Sequence, residues 1–177
     1  YPLAPQTKRE GRGISYIYMA EKKPNTLENY KLLMTKLAHG QITPIYLLMG
    51  EESYYIDKIC DWLTENLLKA EEKDFNMSIL YGADVTARQV MDEARRFPMM
   101  AERQVVIVKE AQAMKDIDAL EKYMEKPVST TVLILCYKGG VLDSRKKLTA
   151  KAIACGTVFV SDSPRYDRDI IAFLNEY

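Results

Sequence analysis

The sequence of 177 residues has few residues of the types that build metal sites or disulfide scaffolds. It contains three cysteines, Cys60, Cys136 and Cys155, and one histidine, His39. The cysteines are odd in number, have no Cys-x-x-Cys spacing and each lie in an apolar stretch, so they are interpreted as reduced core thiols. Three scattered cysteines and one histidine do not form a zinc-binding pattern, and they support a His-centred catalytic triad equally poorly.

The chain also has no excess of charge of either sign and no long hydrophobic run. Its 25 Lys and Arg residues balance 25 Asp and Glu residues. This balance argues against a module held to nucleic acid mainly by positive charge. No apolar run reaches the ~18 residues that a membrane span needs. We therefore expect a globular cytoplasmic protein without a membrane segment.

The first 24 residues differ in composition from the rest. They combine prolines and glycines with the basic residues Lys8, Arg9 and Arg12, and they lack the apolar core of a signal peptide. We interpret residues 1–24 as a leader or tag-like arm and residues 25–177 as the folded domain.

From residue 25 onward, strand and helix patterns alternate. Short apolar runs predict five strands, at residues 42–50, 76–81, 104–108, 130–137 and 157–160. Apolar periodicity, capping pairs and position in the alternation predict helices at residues 27–39, 56–67, 86–97, 117–124, 144–154 and 166–177. Such alternation is typical of parallel βαβ units. The predicted fold is α/β, a three-layer parallel sheet with helices on both faces.

The connection after the first predicted strand lacks the residues of a phosphate-binding loop. An open α/β sheet commonly binds a nucleotide there, with glycines close to the phosphates and a Lys followed by Ser or Thr. Here Gly50 is followed by Glu51 and Glu52, whose negative charges would repel phosphate. We interpret the two carboxylates as the start of a helix, where the helix dipole favours them.

The position that usually supplies a metal-binding acid is also changed. In NTPases of this architecture an acid after a middle strand holds Mg²⁺. Here the strand predicted at residues 104–108 is followed by Lys109 and Glu110, and an ammonium group cannot ligate a cation. These two degenerate positions predict a nucleotide-binding scaffold without a working ATP site, so no cofactor is expected.

One connection carries two adjacent large apolar residues. Pro98 disfavours continued helix at Phe97, so Met99 and Met100 fall between a helix and a strand. Both cannot face the same core from one regular element, and exposed methionines are common in partner-binding patches. At least one of the two is therefore expected to point outward. The alternative interpretation is a loop folded back over the core.

Three stretches of the chain together resemble the bacterial DNA polymerase III delta subunit, a clamp-loader component. They are IYLLMGEESYYI at residues 45–56, RRFPMMAERQVVIV at residues 95–108, and STTVLI at residues 129–134 followed by LDSRKK at residues 142–147. The likeness runs in one continuous order from about residue 44 to the C-terminus. It implies an AAA+-like fold without a working ATP site, in agreement with the two degenerate positions.

The resemblance also implies a function and a binding site. The delta subunit binds the β sliding clamp and favours an opened ring for loading onto primed DNA during replication. By position, the apolar wedge that contacts the clamp would be Met99 and Met100, in place of the usual Leu-Phe pair. The flanking residues implied for the contact are Arg96, Phe97, Pro98, Arg103 and Gln104.

Partners and domain content follow from the same resemblance. Tau/gamma subunits, which hydrolyse ATP, and delta-prime would be partners of the full-length protein, and a C-terminal lid and collar would be absent from this chain. The chain itself is expected to be non-catalytic, although its complex is a DNA-directed DNA polymerase, a nucleotidyltransferase. The alternative is a nucleotide-binding or regulatory enzyme on a P-loop-like scaffold, which Mg²⁺-dependent ATP binding would favour.

Overall fold

Five parallel strands form the middle layer of the protein, in the spatial order β2-β3-β4-β1-β5. The structure is a computed structural model that describes residues 26–162. The strands are β1 (Ile45–Gly50), β2 (Met77–Tyr81), β3 (Gln104–Lys109), β4 (Thr131–Lys138) and β5 (Thr157–Ser161). The predicted leader arm and the helix predicted at residues 166–177 lie outside the described residues.

Helices cover both faces of this sheet. They are α1 (Thr26–Ala38), α2 (Ser53–Asn66), α3 (Ala70–Asn76), α4 (Ala87–Ala94), α5 (Glu121–Met124) and α6 (Lys147–Cys155), with 3-10 turns at Ala111–Ala113 and Ile117–Leu120. One apolar cluster packs α1 and α2 against one face, and another packs α4, α5 and α6 against the other. The predicted three-layer α/β fold is confirmed. Within residues 26–162, no helix is long and apolar enough to cross a membrane.

The three inner strands are the most strongly apolar because helices cover both of their faces. Every residue of β1 is buried, as are the first five residues of β3 and the first six of β4. A strand that is covered on both sides appears in the sequence as an uninterrupted apolar run. The edge strand β2 is different, since Ile79 and Tyr81 remain exposed on it.

Two elements near β2 differ from the prediction. Helix α3 was not predicted, because its polar sequence contains no apolar periodicity and only Phe75 is a large apolar residue. Asn76, predicted as the first residue of a strand, ends this helix instead. Helix α4 stops at Ala94 instead of continuing towards Phe97, since Pro98 already disfavours helical backbone at the residue before it.

Three other elements differ from their predicted bounds. β1 begins at Ile45 and not at residue 42, because Pro44 has no N–H to donate to a strand ladder. α6 begins at Lys147 and not at residue 144, since the Asp143 carboxylate accepts a hydrogen bond from the Arg145 backbone N–H and forms a turn there. The helix predicted at residues 117–124 is divided into a 3-10 turn and α5.

The three cysteines are free thiols in the described part of the chain. Cys60 and Cys136 are buried as predicted, whereas Cys155, at the end of α6, is partly exposed. Among residues 26–162, no group of three or more His, Cys, Asp and Glu side chains is arranged to hold a metal ion.

Candidate functional site

The two candidate regions lie at opposite ends of the sheet. Because all five strands are parallel, their carboxyl ends share one end and the connections that lead into them share the other. The degenerate nucleotide positions follow β1 and β3, at the carboxyl end. The loop at residues 95–103 leads into β3, at the amino end. Each region is therefore a separate site.

At the carboxyl end, backbone atoms of neighbouring segments occupy the space beside Gly50. Gly50 has a φ of 140°, and a Cβ on it would lie 2.6 Å from the Ser161 carbonyl carbon and closer still to its oxygen. The Gly50 carbonyl accepts a hydrogen bond from Gly139 N at 2.9 Å. Only Glu51 and Glu52 separate β1 from α2. This connection is too short to form the glycine-rich loop that wraps phosphates.

Glu52 has a structural role at this position. Its carboxylate accepts a hydrogen bond from Tyr54 N at 2.9 Å and caps α2. Its own N–H donates to the Ser161 carbonyl at 3.3 Å. The interpretation of these carboxylates as a helix start is confirmed for Glu52, which is the N-cap residue, and Glu51 immediately precedes it.

Glu110, at the degenerate metal position, takes part in an ion-pair network of the protein itself. Lys138 Nζ, at the end of β4, lies 2.7 Å from Asp57 Oδ1 and 3.9 Å from Glu110 Oε1. Gln112 joins the network by donating to Glu110 and by accepting from Lys138 N. Partial burial alone would lower the pKa of Lys138, but the hydrogen bond to Asp57 and the two carboxylate charges raise it above its ordinary value. Lys109 ends β3 and is half-buried.

At the amino end, the loop at residues 95–103 presents apolar side chains to solvent. Phe97 is 83% exposed, Met99 54% and Met100 102%, while Pro98 between them is half-buried. The prediction that at least one methionine points outward is confirmed, because both do. The alternative of a loop folded back over the core is wrong.

A buried amide from α3 holds the tip of this loop. Asn76 is 3% exposed, and its Oδ1 accepts a hydrogen bond from Met99 N at 2.6 Å. Its Nδ2 donates to the Met99 carbonyl at 2.9 Å and to the Glu72 carbonyl at 3.0 Å. Both backbone polar groups of Met99 are therefore bound by one side chain. Met100 follows with a φ of 53°, in the left-handed region that non-glycine residues rarely occupy.

A second buried amide holds the start of the loop. Gln104 Nε2 lies within hydrogen-bond distance of the carbonyls of Glu93, Ala94 and Arg96 and of Thr131 Oγ1. These carbonyls lie at and just beyond the end of α4, where helical partners are missing. The resemblance implied that Gln104 contacts the partner, whereas in this structure its side chain faces the end of α4. The side chain is buried inside the fold, so it anchors the loop.

The two implied arginines have different surroundings. Arg96 Nη1 lies 2.7 Å from Glu93 Oε1, and the arginine side chain is about half exposed. Arg103 is half-buried and, with the neighbouring Glu102, lines a cleft of about 560 Å³. Trp62 of α2 also lines this cleft. Arg103, the last residue of the exposed loop, thus borders a concave surface.

Sequence reasoning missed the contribution of α3 to this region. Phe75 is 67% exposed and immediately precedes Asn76. The available signal was an isolated Phe in a polar stretch, next to an Asn that can end a helix. No periodic pattern marks a contact between residues 23 positions apart, such as Asn76 and Met99.

Comparisons with known proteins identify the family. The family described as "DNA polymerase III, delta subunit" matches residues 46–160. The chain belongs to the DNA polymerase III delta subunit family. The subunit delta of Bacillus subtilis (strain 168) is 32% identical over 123 residues, which is 64% of this chain and 35% of that protein. The match therefore covers about a third of that relative's length.

Solved structures share the fold of this delta-family chain. The DNA clamp loader delta protein of Bacillus subtilis has a TM-score of 0.68 and 27% identity, covering 77% of this chain and 43% of that chain. A DNA polymerase III gamma subunit-related protein of Thermotoga maritima has a TM-score of 0.52 and covers 80% of this chain and 49% of that one. At 21% identity, the second likeness concerns the fold alone. The predicted family and the AAA+-like α/β fold are confirmed.

Proposed function

We propose that this chain is the clamp-binding part of a delta subunit and binds the β sliding clamp through the loop at residues 95–103. The observation that carries the proposal is the outward position of Met99 and Met100 in a loop whose backbone is held by buried amides. An apolar tip on a fixed backbone is suited to enter an apolar pocket of a partner. In the complete clamp loader, tau/gamma and delta-prime subunits would supply ATP hydrolysis and assembly, in the cytoplasm.

Burial of the exposed side chains supplies the binding energy in this proposal. Transfer of one large, fully exposed apolar side chain from water contributes ~1.5–3 kcal/mol. Met99 is 54% exposed and can contribute about half of that, so Met99 and Met100 together contribute about 2–4.5 kcal/mol. Micromolar binding requires ~8 kcal/mol, and the flanking residues supply the remainder. Phe97, which is 83% exposed, provides the aromatic side chain that the Met-Met pair lacks.

The chain favours ring opening without performing nucleotide chemistry. A binder shifts a two-state equilibrium only by its difference in affinity for the two states. The loop therefore favours the opened clamp if its contacts are better in that state, and it stabilises an opening that the ring itself makes. The short β1–α2 connection and the paired Lys138 and Glu110 support a chain that leaves ATP hydrolysis to its partners.

Calorimetric titration of the chain with the β clamp of its own species tests the proposal. We expect micromolar or tighter binding that weakens at least ~10-fold in Met99→Ala/Met100→Ala. Both side chains are exposed, so the variant is expected to keep its fold, which circular dichroism verifies. Val141→Ala removes an exposed apolar side chain at the opposite end of the sheet and should leave the affinity unchanged.

The possible outcomes separate the protein's function from the site. Binding that the double variant does not weaken would keep clamp binding but place its site elsewhere. A wild-type chain that is folded and does not bind the clamp would contradict the proposal.

A further inference from the structure

We infer that Asn76 is a positioning residue of the clamp-binding loop, which holds Met99 so that the two methionines are presented before the partner arrives. This inference rests on the proposed function of the loop. It adds a residue from α3, an element that lies outside the contact residues implied by the family resemblance. It assigns to that residue a role without direct contact to the clamp.

Asn76 makes three of the four hydrogen bonds that a side-chain amide can make. Its side-chain oxygen accepts from Met99 N, and its two N–H groups donate to the carbonyls of Met99 and Glu72. The bond to Glu72, a residue of α3 itself, orients the amide, and the pair of bonds to Met99 joins the helix to the loop. Because Asn76 is 3% exposed, water cannot easily replace it at this position.

The tip of the loop has few other means of keeping its shape. The Met100 side chain is 102% exposed, so packing of that side chain does not hold its backbone. Its φ of 53° is a costly conformation for a residue with a Cβ, and such conformations persist only when the surroundings impose them. The hydrogen bonds to Met99, the residue immediately before it, impose the position of the tip.

A loop that is fixed before binding costs less entropy when it binds. When only a fraction of the molecules has the competent loop conformation, the apparent affinity falls by that fraction. Replacement of Asn76 by Ala leaves Phe97, Met99 and Met100 unchanged but frees the backbone that presents them. We therefore expect Asn76→Ala to weaken clamp binding roughly 10-fold, which corresponds to a competent fraction of about a tenth.

Two measurements on the 177-residue chain test this role. Hydrogen exchange of the Met99 amide, measured without the clamp, is expected to accelerate at least ~10-fold in Asn76→Ala, since the amide loses its acceptor. Titration with the β clamp is expected to show the weaker affinity.

Two further variants separate positioning from general destabilisation. Val158→Ala removes buried side-chain volume from β5, at the far side of the sheet from β2, and should lower stability without changing clamp affinity. Asn76→Leu keeps the branched shape and most of the volume of the side chain but removes both the acceptor for Met99 N and the donor to the Met99 carbonyl. Its affinity should match that of Asn76→Ala, and it provides the test if the alanine variant does not fold.

The outcomes distinguish this inference from the proposed function. Faster exchange at Met99 with unchanged clamp affinity in a folded Asn76 variant would overturn the positioning role while clamp binding stands. Unchanged exchange at Met99 would overturn it without reference to the clamp. A wild-type chain that does not bind the clamp would contradict the proposed function itself. The exchange experiment would still test the hydrogen bonds between Asn76 and Met99.

Discussion

Replacement of Gly50 by Ala tests why β1 ends in a glycine. One explanation is the close approach of the β5 backbone, and the other is a backbone conformation that leaves room for a phosphate. The new Cβ would lie 2.6 Å from the Ser161 carbonyl carbon and 2.7 Å from its nitrogen, far below the ~3.5–4 Å of a favourable contact. The φ of 140° is also a glycine-only conformation, which costs ~1–3 kcal/mol for other residues. Relief of the overlap requires β5 to move and to release the bond from Glu52 N to Ser161, ~1 kcal/mol more.

The expected loss is therefore about 3 kcal/mol or more, a large part of the ~5–15 kcal/mol that stabilises an ordinary domain. Urea unfolding followed by circular dichroism measures it. Gly139→Ala is the matched control, because Gly139 has a φ of 79° at the same end of the sheet and a Cβ added there would meet no atom within 4 Å. That control should lose only ~1–2 kcal/mol. Similar small losses for both variants would refute the close approach of β1 and β5.

Two further predictions concern stability. Gln104→Ala should lower the free energy of unfolding by ~1–3 kcal/mol, because the Arg96 carbonyl loses the donor that Gln104 supplies, while the carbonyls of Glu93 and Ala94 keep Arg96 N and Thr131 Oγ1; a loss below ~0.5 kcal/mol in urea unfolding would contradict the anchoring role. Stability should also fall as the pH rises above ~10, the ordinary tyrosine value, because burial raises the pKa of Tyr46 and of Tyr123 in the folded state. When the pKa of a group is higher in the folded state than in the unfolded state, its contribution to stability is complete below the unfolded-state pKa. That contribution is lost as the pH rises through the folded-state pKa. Urea unfolding between pH 8 and 11, with Tyr46→Phe expected to reduce the slope, measures this effect, and equal stability across that range would count against it.

The inner part of the fold was predictable because its physical cause is local. β1, β3 and β4 are buried on both faces, and the need for apolar residues at every position leaves an unmistakable run in the sequence. The cap of α4 was equally readable, since Thr86 and Gln89 form both bonds of a capping box within four residues. In contrast, α3 has no apolar stripe of its own, and contacts with neighbouring elements determine its position.

The candidate site was predictable only in outline. Pro98 and the adjacent methionines indicate an exposed connection, and the carboxylates after Gly50 indicate that phosphate would be repelled there. The contacts that complete both regions join residues far apart in the chain, such as Asn76 with Met99 and Asp57 with Lys138. Gln104 shows the limit most clearly: the family resemblance implied a contact with the partner, but at the first position of β3 the side chain turns inward to the end of α4.

Oxidation footprinting of the methionines tests the central claim most directly, because thioether oxidation follows exposure. In the free chain, Met99 and Met100 should be oxidised by hydrogen peroxide faster than the partly buried Met34 of α1. With saturating β clamp, the account predicts that oxidation of Met99 and Met100 slows several-fold while that of Met34 is unchanged, as measured by peptide mass spectrometry. Unprotected Met99 and Met100 in a chain that is bound to the clamp would contradict it.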